Sequence, residues 1–330
     1  MGPVEETATM TTMGKYRHLG RTTTEAGHFV IMAIDHRTNL LEKLNAAVGS
    51  SLSDEAFVAF KQQVLQALAP QSSAVLTDPA YGIGEGIVSG TISGQLGLLA
   101  PLEVTDYGLH PSQRPLDFIP NWSVKKIKMM GGDGVKLLLP YHPDADTAAE
   151  KHTVVEQIIA DCATYDIPFF LEPIPYSLDP AKSLPNDELL QVSVAMCKTF
   201  SAMGVDVLKL PFPVDAKQSQ DDDEWIAACM AVDAACSVPW ALLSAGVTYD
   251  TFLQQSKIAC QSGASGVIVG RAVWAEAVDA QGDERANFLA DVATKRMQEL
   301  ADVCAQFARP WTESVDKPAS TIDWYESYQR

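Results

Sequence analysis

Eight short apolar runs, each ending in polar or Gly/Pro residues and often followed by an amphipathic stretch, predict an α/β fold, a single (β/α)8 TIM barrel. The length agrees, since 330 residues suit one large barrel. The third observation excludes the main competitor. An open doubly wound sheet would place a glycine fingerprint after its first strand, and Asp35-His36-Arg37 stands there instead.

In chain order, residues 1–24 are polar and read as an N-terminal extension, 25–309 as the barrel, and 310–330 as a C-terminal tail. The first run is Phe29–Asp35. Ser53 is placed to cap a helix whose one face carries Phe57, Phe60, Val64, Leu65 and Leu68. Ala74–Pro79 follows, then Gly82-Ile83-Gly84-Glu85-Gly86, whose G-x-G-x-G spacing lacks the third glycine of a nucleotide loop and reads as a flexible connection. After Gly97–Glu103 a long connection carries Tyr107, Pro111, Pro115 and Pro120, then a helix with Lys125, Lys126 and Lys128. Val135–Tyr141 is the fourth run. Val154, Val155, Ile158, Ile159 and Cys162 mark the helix ahead of the fifth, Pro168–Pro173. Val205–Pro211, Pro239–Gly246 and Gly266–Ala272 complete the set. Continuous apolar, β-branched strands of this kind suit a parallel sheet covered on both faces.

Apolar residues make up 47% of the chain, enough for a sizeable core. A formal charge of −18 argues against nucleic acid and anionic membranes as partners, both of which need basic patches. Anionic metabolites remain open to it if a few cations share one pocket. Six scattered cysteines without C-x-x-C spacing read as free thiols, and no apolar signal core or transmembrane stretch is present. A cytoplasmic location is expected, and a homo-oligomer, dimer or larger.

Lys209 is the most informative residue, because it lies within the apolar run Val205-Asp206-Val207-Leu208-Lys209-Leu210-Pro211. Lysines are almost never fully buried without a partner. Desolvation favours the neutral amine, a nucleophile able to form an imine with a ketone. Barrel chemistry sits at the C-terminal ends of the strands. Those ends carry Asp35, Asp78, Glu103, Lys136, Glu172, Lys209, Ser244 with Gly246, and Gly270 with Arg271. Strands four and six share parity, so Lys136 and Lys209 are expected to point inward together. Lys136 with Glu172 could instead be a plain buried ion pair, and Asp35 a helix cap. The turns Ser244-Ala245-Gly246 and Gly270-Arg271 follow strands seven and eight, where barrels often bind phosphate. His18, His28, His36, His110, His142 and His152 include no H-E-x-x-H or close pair, so no metal and no cofactor is expected.

On these residues the chain resembles the class I tagatose-1,6-bisphosphate aldolases and their relatives, the sulfofructose-phosphate aldolases. The similarity runs from about Phe29 to Glu313, through Ala33-Ile34-Asp35, Leu76-Thr77-Asp78-Pro79, Gly134-Val135-Lys136, Phe170-Leu171-Glu172, Val207-Leu208-Lys209, Ser244-Ala245-Gly246, Gly270-Arg271-Ala272 and Pro310-Trp311-Thr312-Glu313. The resemblance implies that Lys209 is the Schiff-base lysine and Glu172 the acid/base, with Lys136 and Asp35 completing the catalytic centre. It implies phosphate binding at Ser244, Ala245, Gly246, Gly270 and Arg271, and a small-molecule sugar phosphate as substrate. His36, Arg37 and the cations near Lys125 are candidates for the distal end. Tagatose-type members commonly have Asp-Gln-Arg where this chain has Asp35-His36-Arg37, and Glu172-Pro173 is closer to the sulfosugar relatives. Open alternatives are a sulfofructose-1-phosphate aldolase, another lysine-imine aldolase on the same barrel, and a non-catalytic sugar-phosphate sensor.

Overall fold

The computed structural model describes residues 11–104, 109–326 and 328. Eight parallel strands close into a barrel: β1 (Phe29–Ile34), β2 (Ala74–Thr77), β3 (Gly97–Pro101), β4 (Gly134–Tyr141), β5 (Phe169–Pro175), β6 (Val207–Leu210), β7 (Trp240–Leu243) and β8 (Gly266–Val269). Neighbours in sequence are neighbours in space, and β1 closes the ring by pairing with β8, Phe29 opposite Gly266. All eight predicted runs are strands, within a few residues of their predicted ends.

Strand residues alternate between two cores. Phe29, Ile31, Ala33, Ala74, Leu76, Leu99, Phe170, Val207, Ala241 and Ile268 fill the barrel interior. Their neighbours, among them Val30, Met32, Ile34, Leu137, Leu171 and Leu208, pack outward against the helices. Continuing the inward alternation by two residues leads from Ala33 to Asp35, from Phe170 to Glu172 and from Val207 to Lys209. The apolar layers thus form a floor from which the polar groups rise.

The helices follow from their sequences. Ser53 caps Asp54–Leu68 by accepting from the Ala56 N–H, and Phe57, Phe60, Val64, Leu65 and Leu68 are buried. Val155, Ile158 and Cys162 form the buried stripe of Ala148–Thr164. The long third connection contains a two-stranded antiparallel ribbon, Glu103–Val104 with Asp117–Phe118, that the sequence did not announce. Tyr107 lies outside the described residues.

Residues read as a polar lead-in include a helix, Met13–Arg21, that seals the N-terminal end of the barrel. Lys15 pairs with Asp206 at 2.8 Å, Arg21 with Asp133 at 2.7 Å and His18 with Asp133 at 2.9 Å. These aspartates stand just ahead of β6 and β4. Leu19 and Trp311 are buried against the interior core, and the Tyr16 and Trp311 rings lie 4.8 Å apart. Gly97 allows the close fit, because a Cβ there would lie 2.4 Å from the Arg21 carbonyl oxygen. The barrel base is therefore closed by side chains, leaving its chemistry to the opposite mouth.

Candidate active site

Five charged side chains from five strand ends meet inside the mouth. Lys136 Nζ donates to Asp35 Oδ2 at 2.9 Å and to Glu103 Oε1 at 2.7 Å, and lies 3.0 Å from Glu172 Oε2. Lys209 Nζ donates to that same Glu172 oxygen at 2.9 Å. Lys136 is 2% exposed and Lys209 6%, so neither ammonium is solvated by bulk water. The expected inward pair of lysines is present, but one carboxylate oxygen bridges them. Lys209 is thus not a lone buried amine.

The two strongly paired carboxyls are held ionised. For Asp35 burial opposes the charge, yet Lys136 and Lys209 outweigh it and the pKa falls well below the usual aspartate value. Burial likewise opposes Glu172, but Lys136 and Lys209 on either side bring it below the ordinary glutamate value. Glu103 goes the other way. Burial, with Asp35 nearby, raises it despite Lys136, and its Oε2 is buried without a hydrogen-bond partner among the described residues. Glu103 is therefore the carboxyl of the cluster that most readily carries a proton. The space between Asp35, Glu103 and Glu172 is filled by the Lys136 ammonium.

Asp35 does not cap a helix; Thr38–Val48 has Arg37 at its N-cap position, without a side-chain cap. Arg37 instead donates to the Glu103 carbonyl, tying the end of β1 to the end of β3. His36 stacks edge-on against Trp274 and lies 4.0 Å from Asp35. Burial first, then Arg271, Lys209 and Lys61, depress its pKa to about 3 against the pull of Asp35, so the imidazole is neutral. Its Nδ1 has no hydrogen-bond partner among the described residues.

The two phosphate-site candidates sit side by side because β7 and β8 are paired. Ala245 and Gly246 adopt consecutive positive φ, 39° and 78°, and Ser244 is buried. Arg271 Nη2 would lie 3.9 Å from a Cβ on Gly246, and Gly270 passes 3.0 Å from the Ala33 carbonyl by the same measure, with His36 at 3.6 Å. Among the described residues Arg271 has no carboxylate partner. Its cation, the Ser244–Gly246 turn and His36 face one side of the mouth.

The lysines of Val124–Met129 are placed otherwise. Lys126 bonds the Asn121 carbonyl, Lys125 is exposed, and Lys128 bonds His18 and the Asp166 carbonyl near the barrel base. Lys126 and Lys128 are thus engaged by the protein itself.

Two charged residues escaped the sequence reading. Glu103 stood at a strand end without an assigned role. Lys61 is fully buried, bonded to Asp78 and to the Ile34 carbonyl at 3.0 Å. Its position beside Phe60, on the face of Phe57 and Val64, was the available signal. Asp78 also caps the turn after β2 through the Ala80 and Tyr81 N–H groups.

A family model described as DeoC/LacD family aldolase matches residues 29–276. Tagatose 1,6-diphosphate aldolase 1 of Streptococcus pyogenes serotype M1 is 32% identical over 331 residues, 93% of this chain and 100% of the relative. Tagatose 1,6-diphosphate aldolase of Listeria monocytogenes serotype 4b is 35% identical over 322 residues, 91% of this chain and 94% of the relative. An archaeal fructose 1,6-bisphosphate aldolase superposes with a TM-score of 0.58 at 16% identity, covering 88% of this chain and 99% of that one. A second archaeal structure, with its catalytic lysine bound to a carbinolamine intermediate, gives 0.58 at 17% identity and the same coverage. The two structural likenesses speak for the barrel fold, and the sequence matches for kinship: the chain belongs to the DeoC/LacD family of aldolases.

Proposed function

We propose that this aldolase, a carbon–carbon lyase, works through an imine on Lys209 and cleaves a ketose 1-phosphate or 1,6-bisphosphate. Tagatose 1,6-bisphosphate is the foremost candidate, by kinship to the tagatose 1,6-diphosphate aldolases. Its products are dihydroxyacetone phosphate and an aldehyde such as glyceraldehyde 3-phosphate. The observation that carries this reading is the buried Lys209–Glu172–Lys136 chain, with one oxygen shared at 2.9 and 3.0 Å.

Lys209 must lose a proton before it attacks, and Glu172 Oε2 is in position to take it. The amine adds to the C2 carbonyl and forms a carbinolamine. Glu172 then returns the proton to the departing C2 hydroxyl, which leaves as water. The resulting iminium is the electron sink. As the C3–C4 bond breaks, its electron pair flows to the nitrogen, and the C4 hydroxyl proton passes to Glu172, now a carboxylate again. The aldehyde leaves, the enamine is protonated at C3, and water releases dihydroxyacetone phosphate. Lys136 holds Glu172 and Asp35 in place, and Glu103 fixes Lys136 from the other side.

The donor phosphate is assigned to Ser244, Ala245, Gly246, Gly270 and Arg271, with His36 lining the same part of the mouth and Arg37 turned instead toward the end of β3. A guanidinium without a carboxylate partner among the described residues, beside a turn of consecutive positive φ, supports this assignment. Arg271→Ala would remove charge-assisted bonds worth roughly 1.5–3 kcal/mol each. The KM for the ketose phosphate should rise at least about tenfold, one decade per ~1.4 kcal/mol. An unchanged KM would place the phosphate elsewhere.

The distal group is phosphate by kinship and sulfonate in the second reading, which the Glu172-Pro173 segment favours. Turnover of tagatose 1,6-bisphosphate, fructose 1,6-bisphosphate and sulfofructose 1-phosphate separates the two. The mechanism itself is tested by borohydride reduction with dihydroxyacetone phosphate, which should add the donor's mass to the peptide containing Lys209. Labelling of Lys136 would overturn the assignment, and no labelling at all would favour a non-catalytic sensor. The six cysteines are all free thiols, which supports a reducing, cytoplasmic setting. Among the described residues no helix is long and apolar enough to cross a membrane. Assembly as a homo-oligomer is part of the same proposal.

A further inference from the structure

The end of β1 carries Asp35 and His36 past the point where the sheet can hold them. On one side the pairing of β1 with β8 ends at Met32 opposite Val269, and on the other its pairing with β2 ends at Ile34 opposite Thr77. The second ladder stops for a reason written in the sequence. Ser73 donates its N–H to the Val30 carbonyl at 2.8 Å, and the donors of a parallel strand recur at every second residue. The series therefore runs through Ser73, Val75 and Thr77 and reaches Pro79, which has no N–H to give. Backbone that leaves a sheet in this way is ordinarily loose. Asp35 has to be held, because its carboxylate meets Lys136 Nζ at 2.9 Å.

Two side chains take over where the ladders stop. Trp274 Nε1 donates to the Ala33 carbonyl at 3.1 Å, and Lys61 Nζ donates to the Ile34 carbonyl at 3.0 Å. These carbonyls belong to the two peptide units that lead into Asp35. Both donors are themselves fixed. Lys61 and its partner Asp78 are 0% exposed, and Asp78 accepts from the N–H groups of Ala80 at 3.0 Å and Tyr81 at 2.9 Å. Trp274 is also 0% exposed, with the rings of Phe60 and His36 edge-on at 6.5 and 5.7 Å.

Stability alone is a poor reason for such an arrangement. An ion pair taken wholly out of water gains little over apolar side chains of the same volume. Lys61 lies among the buried residues of Asp54–Leu68, with Phe57, Phe60, Val64 and Leu65, where an apolar residue would pack. What an apolar side chain could not do is donate to the Ile34 carbonyl. Catalysis is sensitive to aim of this kind, since a misplacement of about 1 Å can cost about a hundredfold in rate.

We propose that Lys61 and Trp274 are positioning residues, a clamp on the Ile34 and Ala33 carbonyls that aims Asp35 at Lys136; its catalytic consequence rests on the aldolase reading of the Lys136 cluster. Two variants of the full chain remove the donors. Lys61→Met/Asp78→Asn takes away the pair without stranding a charge and keeps an oxygen for the Ala80 and Tyr81 N–H groups. Trp274→Phe keeps an aromatic ring and loses the Nε1 donor. In each, kcat for tagatose 1,6-bisphosphate cleavage should fall at least about tenfold while KM stays within about threefold. Either variant suffices if the other folds poorly. The deciding comparison repeats them on an Asp35→Asn background, where a clamp acting through Asp35 should cost less than about twofold further. A merely structural role would cost the same factor in both backgrounds and overturn the proposal, as would wild-type kcat in both variants. Amide exchange measures the clamp without reference to catalysis. The peptide covering Asp35 to Asn39 should exchange at least about tenfold faster in both variants, with β4 and β5 unchanged. Unmoved exchange there would overturn the clamp. Failure of the catalytic reading shows separately, as an Asp35→Asn enzyme with wild-type turnover, and amide exchange still judges the clamp.

Discussion

Lys209→Met will lower aldol cleavage by about four orders of magnitude or more and abolish borohydride trapping. The size follows from what the amine supplies. Without the iminium, breaking the C3–C4 bond must generate a carbanion with no electron sink, and no other group of the cluster replaces it. Methionine keeps most of the stem packed against the barrel interior, so the loss should be chemical rather than structural. Glu172 retains Lys136 at 3.0 Å in the variant, and its charge stays compensated. Thermal unfolding within a few degrees of wild type, with cleavage at background, is the expected result. A variant retaining a tenth of wild-type turnover, or one still labelled at Lys136, would show that the imine forms elsewhere.

Glu172→Gln should be the next most damaging change, and it should act on both rate and stability. The glutamate oxygen is shared by two ammonium groups at 2.9 and 3.0 Å. A neutral amide removes the charge between them and offers one of them an N–H donor instead of an acceptor. Loss of a positioned acid/base costs about 10²–10⁴ in rate. Breaking one partner from a buried ion pair costs about 3–5 kcal/mol, because an uncompensated charge is left behind. Asp35 and Glu103 still hold Lys136, so Lys209 bears most of that cost. Steady-state kcat and urea unfolding measure the two effects. A kcat within tenfold of wild type would remove Glu172 from the proton path and leave it a structural counter-ion.

Much of this was legible in the sequence because strands buried on both faces write themselves as apolar runs. A charge at the end of such a run then stands out, as Asp35, Lys136, Glu172 and Lys209 did. What the sequence hid were pairings across the fold. Glu103 looked like any acid at the start of a loop, and only closure of β3 on β4 carries it to Lys136. Lys61 is one polar letter in an amphipathic helix, and its partner Asp78 lies on the neighbouring strand. The helix Met13–Arg21 reads as polar because Lys15 and Arg21 face aspartates whose position depends on the finished barrel. Leu19 alone could not reveal that the segment is packed.

That basal seal has a consequence for how the chain folds. Tyr16 and Trp311 touch although almost the whole sequence separates them, and β1 finds its second neighbour only in β8. During synthesis the ring stays open until β8 emerges, and the apolar interior stays uncovered at its base until the residues near Trp311 follow. Contacts so distant along the chain form late and slow folding. The nascent protein therefore passes through half-barrels with bare sheet edges, and chaperone dependence should end only when the Trp311 segment emerges and locks the base.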